Sequence, residues 1–121
     1  MWLFTKYGFF SAVCSREGDG SHGQPVDPNT IQVRARVREH LEAIQDRFHE
    51  KLGNCEIFEN SGTDYKYRIY VDKVTWSEVM GGLVGDIDYD NFKNEVRQVQ
   101  GATEYEEALH EVWGVMFGMQ R

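Results

Sequence analysis

Three arginines, Arg34, Arg36 and Arg38, stand at every second position of the stretch "TIQVRARVREHL", residues 30 to 41. The positions between them, Ile31, Val33, Ala35 and Val37, are apolar. A guanidinium presents its N–H donors in a planar fork that matches the two oxygens of a carboxylate or phosphate. Alternation of this kind marks a strand with one buried face, so Arg34 and Arg36 share the other face and Arg38 falls at its end. A second segment, "YKYRIYVDK" (65–73), repeats the device. Tyr67, Ile69 and Val71 make its apolar set, which leaves Lys66, Arg68 and Tyr70 opposite. In "MWLFTKYGFFSAV" at the start of the chain, Lys6 is the only charged residue, and its parity carries Trp2 and Phe4 to the same side. The expected binding surface is therefore an open sheet face bearing Trp2, Phe4, Lys6, Arg34, Arg36, Lys66, Arg68 and Tyr70. Cations among exposed aromatics suit pairing with phosphates or carboxylates and stacking on bases. The bland reading of the same residues is a solvated face whose cations pair across strands with acids such as Glu56, Glu59 and Asp72.

Other chemistry is thinner. Asp86, Asp88 and Asp90 have the spacing of a calcium loop, which also needs Gly at its sixth position and a bidentate Glu at its twelfth. Asn91 and Arg97 occupy those positions. The acids read better as the start of a helix, where negative charge meets the positive end of the dipole. Of the histidines, His22, His40, His49 and His110, no pair has the spacing of a helical zinc site, and no Cys-x-x-Cys occurs. His22, within a glycine-rich loop, and His40 are the least poor acid/base candidates. Ser11, Ser15 and Ser21 lack the context of an activated nucleophile. "GDGSHG" lacks both the lysine and the following helix of a phosphate loop. No metal site and no cofactor is expected, and the chain leans away from catalysis.

Bulk composition limits the partners. The 121 residues carry a formal charge of -7, with 40% apolar and 13% aromatic residues. That is the composition of one globular domain. Residues 1–74 hold ten Lys/Arg against eleven Asp/Glu, whereas residues 75–121 hold three against nine. An acidic chain is no general polyanion binder, because long-range repulsion opposes nucleic acid. A local cationic patch on the N-terminal half remains compatible with that balance. The apolar beginning is interrupted by Lys6 and lacks a preceding basic region, so it reads as a strand rather than a leader. A cytoplasmic location follows by default, and Cys14 and Cys55 are expected to be reduced thiols. No run of residues is apolar enough to span a membrane.

These side chains need elements to hold them. Residues 2–13 read as a long strand with a bulge or close approach at Gly8. Residues 14–29, rich in glycine and holding both prolines, read as a long flexible loop. A strand over 30–37 leads into a helix in which Leu41, Ile44, Phe48 and Leu52 recur at helical spacing, with Gly53 as its stop. "CEIFE" (55–59), the turn "NSGTD" and residues 65–73 make a second strand pair. Thr75 with Glu78, and Thr103 with Glu106, have capping-box spacing. The first of these helices should be short, given Gly81, Gly82 and Gly85. Another starts near Asp88 to Asp90. The last carries a stripe of Leu109, Val112, Trp113, Met116 and Phe117. The expectation is a single α+β domain over 1–121: a four-stranded, mainly antiparallel sheet with three to four helices on one face, a ferredoxin-like variant among the options.

Two resemblances bear on function. "KYGFFSAV" is similar to the RNA-recognition-motif signature, although in that family the signature lies on a later strand. "MWLFTKYGFFS", "VRARVR", "GTDYKYRIYV" and "DIDYDNFK" together resemble a group of small uncharacterised bacterial proteins that open Met-Trp-aliphatic-Phe-Thr. That resemblance spans most of the chain outside 14–29 and implies no activity. It draws attention to Thr5, Thr63, Asp64, Tyr65, Asp88, Tyr89, Asn91 and Lys93 beside the arginines. The leading expectation is a small non-catalytic binding or regulatory protein whose arginine face engages an acidic protein partner or a second copy of itself. The first alternative is an RNA- or nucleotide-binding domain using the same face, with a nuclease-like enzyme as its catalytic form. The second is an acidic inhibitor of the phage type that docks a basic partner through its helical half.

Overall fold

Strand β1 (Trp2–Thr5) and strand β2 (Gly8–Arg16) form a hairpin at the edge of the sheet in the computed structural model, which describes all 121 residues. Strand β3 (Val26–Ala35) pairs with β2, and helix α1 (Arg38–Arg47) with the single turn α2 (His49–Leu52) follows it. The short β4 (Phe58–Glu59) and β5 (Tyr67–Asp72) complete an antiparallel sheet in the order β1-β2-β3-β5-β4. Helices α3 (Lys73–Gly85), α4 (Phe92–Gln100) and α5 (Glu104–Phe117) end the chain. The architecture is α+β as expected, but with five strands rather than four and five helices rather than three to four.

The extra strand comes from Gly8. The long strand expected over 2–13 turns back after Thr5, whose hydroxyl accepts the N–H groups of Tyr7 and Gly8, each at 3.1 Å. Gly8 has φ +151°, and a Cβ there would collide with the His40 ring. Of the bulge or close approach expected at Gly8, there is no bulge but a turn packed closely against the His40 side chain of α1. A true bulge lies further on, between Cys14 and Ser15. The loop expected over 14–29 is correspondingly shorter, because β2 runs to Arg16 and β3 begins at Val26.

Alternation along the strands fills the core. Phe10, Ala12, Ile31, Val33, Ala35, Ile69 and Val71 point to one side and pack on Leu41, Ile44, Phe48 and Leu52, and on Trp76 and Val79 of α3. The helical pattern of 41–52 is interrupted at Phe48, where the backbone leaves the α region (φ -112°, ψ 49°) and separates α1 from α2. The Phe48 ring lies against Gly82, where a Cβ would collide with it. Close packing therefore explains one of the glycines that pointed to a short helix; α3 runs through all three. Its cap is Asp72, which accepts the Thr75 N–H at 2.8 Å, and not Thr75 itself. Thr103 does cap α5, and Asn91 caps α4.

Helices α4 and α5 do not join the others on the core face. Val96, Tyr105 and Leu109 form a second cluster with Phe92 and with Phe9, whose place beside Phe10 in β2 puts it on the opposite side of the sheet. The Tyr105 hydroxyl donates to the Thr5 carbonyl at 2.8 Å, and the Gln100 amide to that of Lys6 at 2.9 Å. The second face is therefore roofed at its β1–β2 end and free over β3, β5 and β4. Of the stripe expected on α5, Leu109 is buried, while Trp113, Met116 and Phe117 are more than half exposed. No helix is long and apolar enough to cross a membrane.

Candidate functional site

The register of β3 and β5 places Arg34 directly opposite Arg68. Both project to the face away from the main core, because Val33, Ala35 and Ile69 beside them are fully buried on the other side. Like charges directly opposite on neighbouring strands destabilise a sheet. No carboxylate lies within ion-pair distance of either guanidinium, although Lys6, Arg38, Arg47, Lys51 and Lys66 all have one.

Neutral groups hold the two arginines instead. Arg34 donates from Nη2 to the Ser11 hydroxyl at 2.7 Å, and its guanidinium lies 4.5 Å from the centre of the Tyr65 ring. Arg36 covers the same ring at 4.6 Å, so Tyr65 is buried between two cations. Arg68 donates to the Gln32 side-chain oxygen at 2.7 Å, the Thr63 hydroxyl at 2.7 Å and the Tyr65 carbonyl at 2.8 Å. The turn 60–64 is built to present these acceptors: the Asn60 side chain accepts the Gly62 N–H, and the Thr63 hydroxyl also contacts the Tyr65 carbonyl at 2.7 Å. The Nε atoms of Arg34 and Arg68 are enclosed without any acceptor. Orphaned buried donors of this kind reduce stability.

These groups line a cavity of about 660 Å³ that also takes in Arg16 and His22. Arg16 reaches back from the end of β2 to the His22 carbonyl at 3.0 Å and the Gln24 carbonyl at 2.8 Å, which folds segment 17–25 into a wall of the cavity. A second cavity of about 560 Å³ shares Arg16, His22, Gln32, Thr63 and Arg68 with the first and continues to Phe58 and Tyr70. The two make one cleft over β3, β5 and β4. Arg34 lines the first part together with Asp64, and Arg16 and Arg68 line both parts. The second part adds Phe58, Tyr70, Glu59 and Asp19, the last held below its usual pKa range by the Ser21 N–H. Glu59 is neutralised by Lys66 at 3.2 Å, a pairing that raises the Lys66 pKa.

Arg34, Arg68 and Tyr70 therefore share the cleft, with Arg36 beside it on the same face. Trp2 lies on that face too but at the far edge, 68% exposed and in edge contact with Phe9. Lys66 is at the rim in an ion pair. Lys6 is not on the face. It belongs to the β1–β2 turn, beyond the strand whose parity was used to place it, and bonds the Asp86 carbonyl at 3.2 Å and Glu95 at 3.3 Å. Arg16 falls in the segment expected as a loop over 14–29, but β2 continues through a bulge at Cys14/Ser15 and carries it to the cleft. Thr63, expected to serve the turn, and Tyr65, at the start of the segment 65–73, supply ligands and packing for the arginines.

Of the two histidines considered for acid/base work, His22 lines the cleft. His40 does not. It is buried between Phe10 and Tyr105, its Nδ1 accepts the Phe9 N–H at 3.3 Å, and burial lowers its pKa. Asp86, the first acid of the loop with calcium-like spacing, accepts two hydrogen bonds from Arg47 (2.7 and 2.9 Å) and one from the Tyr7 hydroxyl at 2.7 Å. Those bonds hold its carboxyl below the usual range, while burial and the Asp86 charge push Tyr7 up to about 12. The trio ties α1, the β1–β2 turn and the end of α3 together. No cluster of three His, Cys, Asp or Glu side chains has a geometry that would hold a metal ion. Comparison of the chain with protein-family models, with curated proteins and with solved structures finds no match.

Proposed function

We propose that this protein is a small binding protein, without catalysis of its own, that grips an anionic group in the cleft between Arg34, Arg68 and Arg16. The observation that carries the reading is the cross-strand Arg34–Arg68 pair, two partly desolvated guanidiniums face to face with no counter-ion. Carboxylate or phosphate oxygens between them would relieve the repulsion and accept the N–H groups left over after the bonds to Ser11, Gln32, Thr63 and Tyr65. Concavity favours a discrete group, carried by a small molecule or by one side chain of a protein partner, over a broad flat contact. The setting is a reducing, cytoplasmic one, with which the free thiols of Cys14 and Cys55 agree.

The test is an amide and arginine side-chain NMR titration with inorganic phosphate and, separately, with malonate. Saturable shifts are expected at Arg34, Arg68, Thr63 and Gln32, and are expected to vanish in an Arg34→Gln/Arg68→Gln double variant. A wild-type protein whose spectrum is unmoved by tens of millimolar of either anion would refute the reading.

A further inference from the structure

Building on the anion-binding reading, we infer that the ligand is a single nucleotide, with its phosphate between Arg34 and Arg68 and its base against Tyr70 and Phe58. The cleft has two chemically different ends, and their spacing is set by the sheet. Arg34 faces Arg68 across one strand gap, Phe58 faces Arg68 across the next, and Tyr70 lies two residues along β5 from Arg68. Two residues of strand span roughly 7 Å. Tyr70 and Phe58 project from the same face as Arg68, because alternate residues of β5 share a face and directly paired residues point the same way.

Neither aromatic belongs to a core cluster, and each meets only the other in a ring-to-ring contact. Their rings meet edge to face at 5.7 Å, and they remain 40% and 45% exposed on the floor and rim of the cleft. Tyr67, Ile69 and Val71, the alternate residues of β5, already serve the core, so Tyr70 is not needed there. An exposed aromatic pair beside a cationic pocket is the arrangement that accepts a base by stacking and its phosphate by charge. Gln32 lines both parts of the cleft with its side-chain oxygen already committed to Arg68, which leaves its N–H groups for a sugar or base acceptor.

Charge distribution argues for one nucleotide rather than a strand of nucleic acid. Asp64 lines the cleft beside Arg34 and Asp19 lines the part that holds the aromatics, while Arg16 and Arg68 line both parts. A polyanion lying along the cleft would bring successive phosphates past those carboxylates. A single phosphate can be held by the arginines without passing those carboxylates.

Calorimetric titration of the wild-type protein with adenosine 5′-monophosphate, ribose 5-phosphate, adenosine and inorganic phosphate separates the parts. Stacking on an aromatic should make the nucleotide bind roughly 5- to 150-fold tighter than ribose 5-phosphate. Tyr70→Ala should remove that advantage and leave ribose 5-phosphate binding unchanged, which also shows that the variant is folded. Tyr70→Phe should retain the advantage. Equal affinity for adenosine monophosphate and ribose 5-phosphate would overturn the nucleotide assignment while leaving the anion site standing. Failure of every phosphate probe would instead remove the anion site itself. A 5′-phosphorylated hexauridylate that binds more than ten-fold tighter than the mononucleotide would overturn the assignment in favour of an RNA strand.

Discussion

Replacement of Arg34 by Met separates a structural arginine from one held in place for a ligand. Met keeps most of the apolar stem and loses the guanidinium. Without an anion, the variant loses the charged hydrogen bond to Ser11, about 1.5–3 kcal/mol, and the contact over Tyr65, about 0.5–2 kcal/mol. It gains relief of the enclosed, unbonded Nε, about 1–3 kcal/mol, and of the like charge opposite on Arg68, about 0.2–1 kcal/mol. The two sides nearly cancel, so the stability of the variant should lie within about 1 kcal/mol of wild type. With phosphate at a hundred times its dissociation constant, wild type alone should gain about 2.7 kcal/mol. For a domain of this size that is a rise of roughly 10 °C in Tm. The assay is thermal unfolding of both proteins with and without phosphate, in which the variant also controls for the general stabilising effect of the salt. If Arg34→Met costs more than about 3 kcal/mol, and phosphate moves both proteins equally, Arg34 is a structural residue and the reasoning fails.

Elsewhere the expected outcomes concern the frame around the cleft. Gly8→Ala forces a side chain into positive φ and into the His40 ring, and should destabilise by about 2–5 kcal/mol in urea unfolding. His40 has a folded pKa below its ordinary 6.5, so the unfolded chain takes up the proton more readily. Its contribution to stability is complete above about pH 6.5 and is lost as the pH falls below that value, and His40→Gln should flatten this part of the stability–pH curve. Asp86→Asn weakens the bonds from Arg47 and Tyr7 and should cost about 1–3 kcal/mol. It should also return the Tyr7 pKa from about 12 towards 10, as read by ultraviolet titration.

Much of this was readable in the chain. The alternation Ile31, Val33, Ala35 and Tyr67, Ile69, Val71 is a two-residue period, and its parity alone assigns Arg34, Arg36, Arg68 and Tyr70 to one face. Thr103 was legible as a cap because its hydroxyl bonds within its own first turn. Lys6 was misplaced because parity ends where a strand ends, and the reversal at Thr5–Gly8 depends on His40, thirty-two residues away from Gly8. Thr75 was misread because Asp72, a better acceptor, stands three residues earlier at the end of β5. Arg16 reads as loop because the glycines and prolines of 14–29 are turn chemistry, whereas pairing with β3 past a bulge extends β2 to it.

What the sequence by itself determined is which residues face the core and which do not, since that follows from local period and from the gain in burying apolar surface. It could not say that Arg34 and Arg68 oppose each other. That depends on the register between two strands separated by α1, α2, β4 and a turn, and only the packed core selects it. Nor could it say that α4 and α5 would roof one end of the face while segment 17–25 walls the other. Tertiary structure turned a row of cations into a cleft by burying Tyr65 between Arg34 and Arg36 and surrounding Arg68 with neutral oxygens. The physical reason is desolvation: the same arginines on an exposed strand would be screened by water, whereas here their charge is partly enclosed and without a partner.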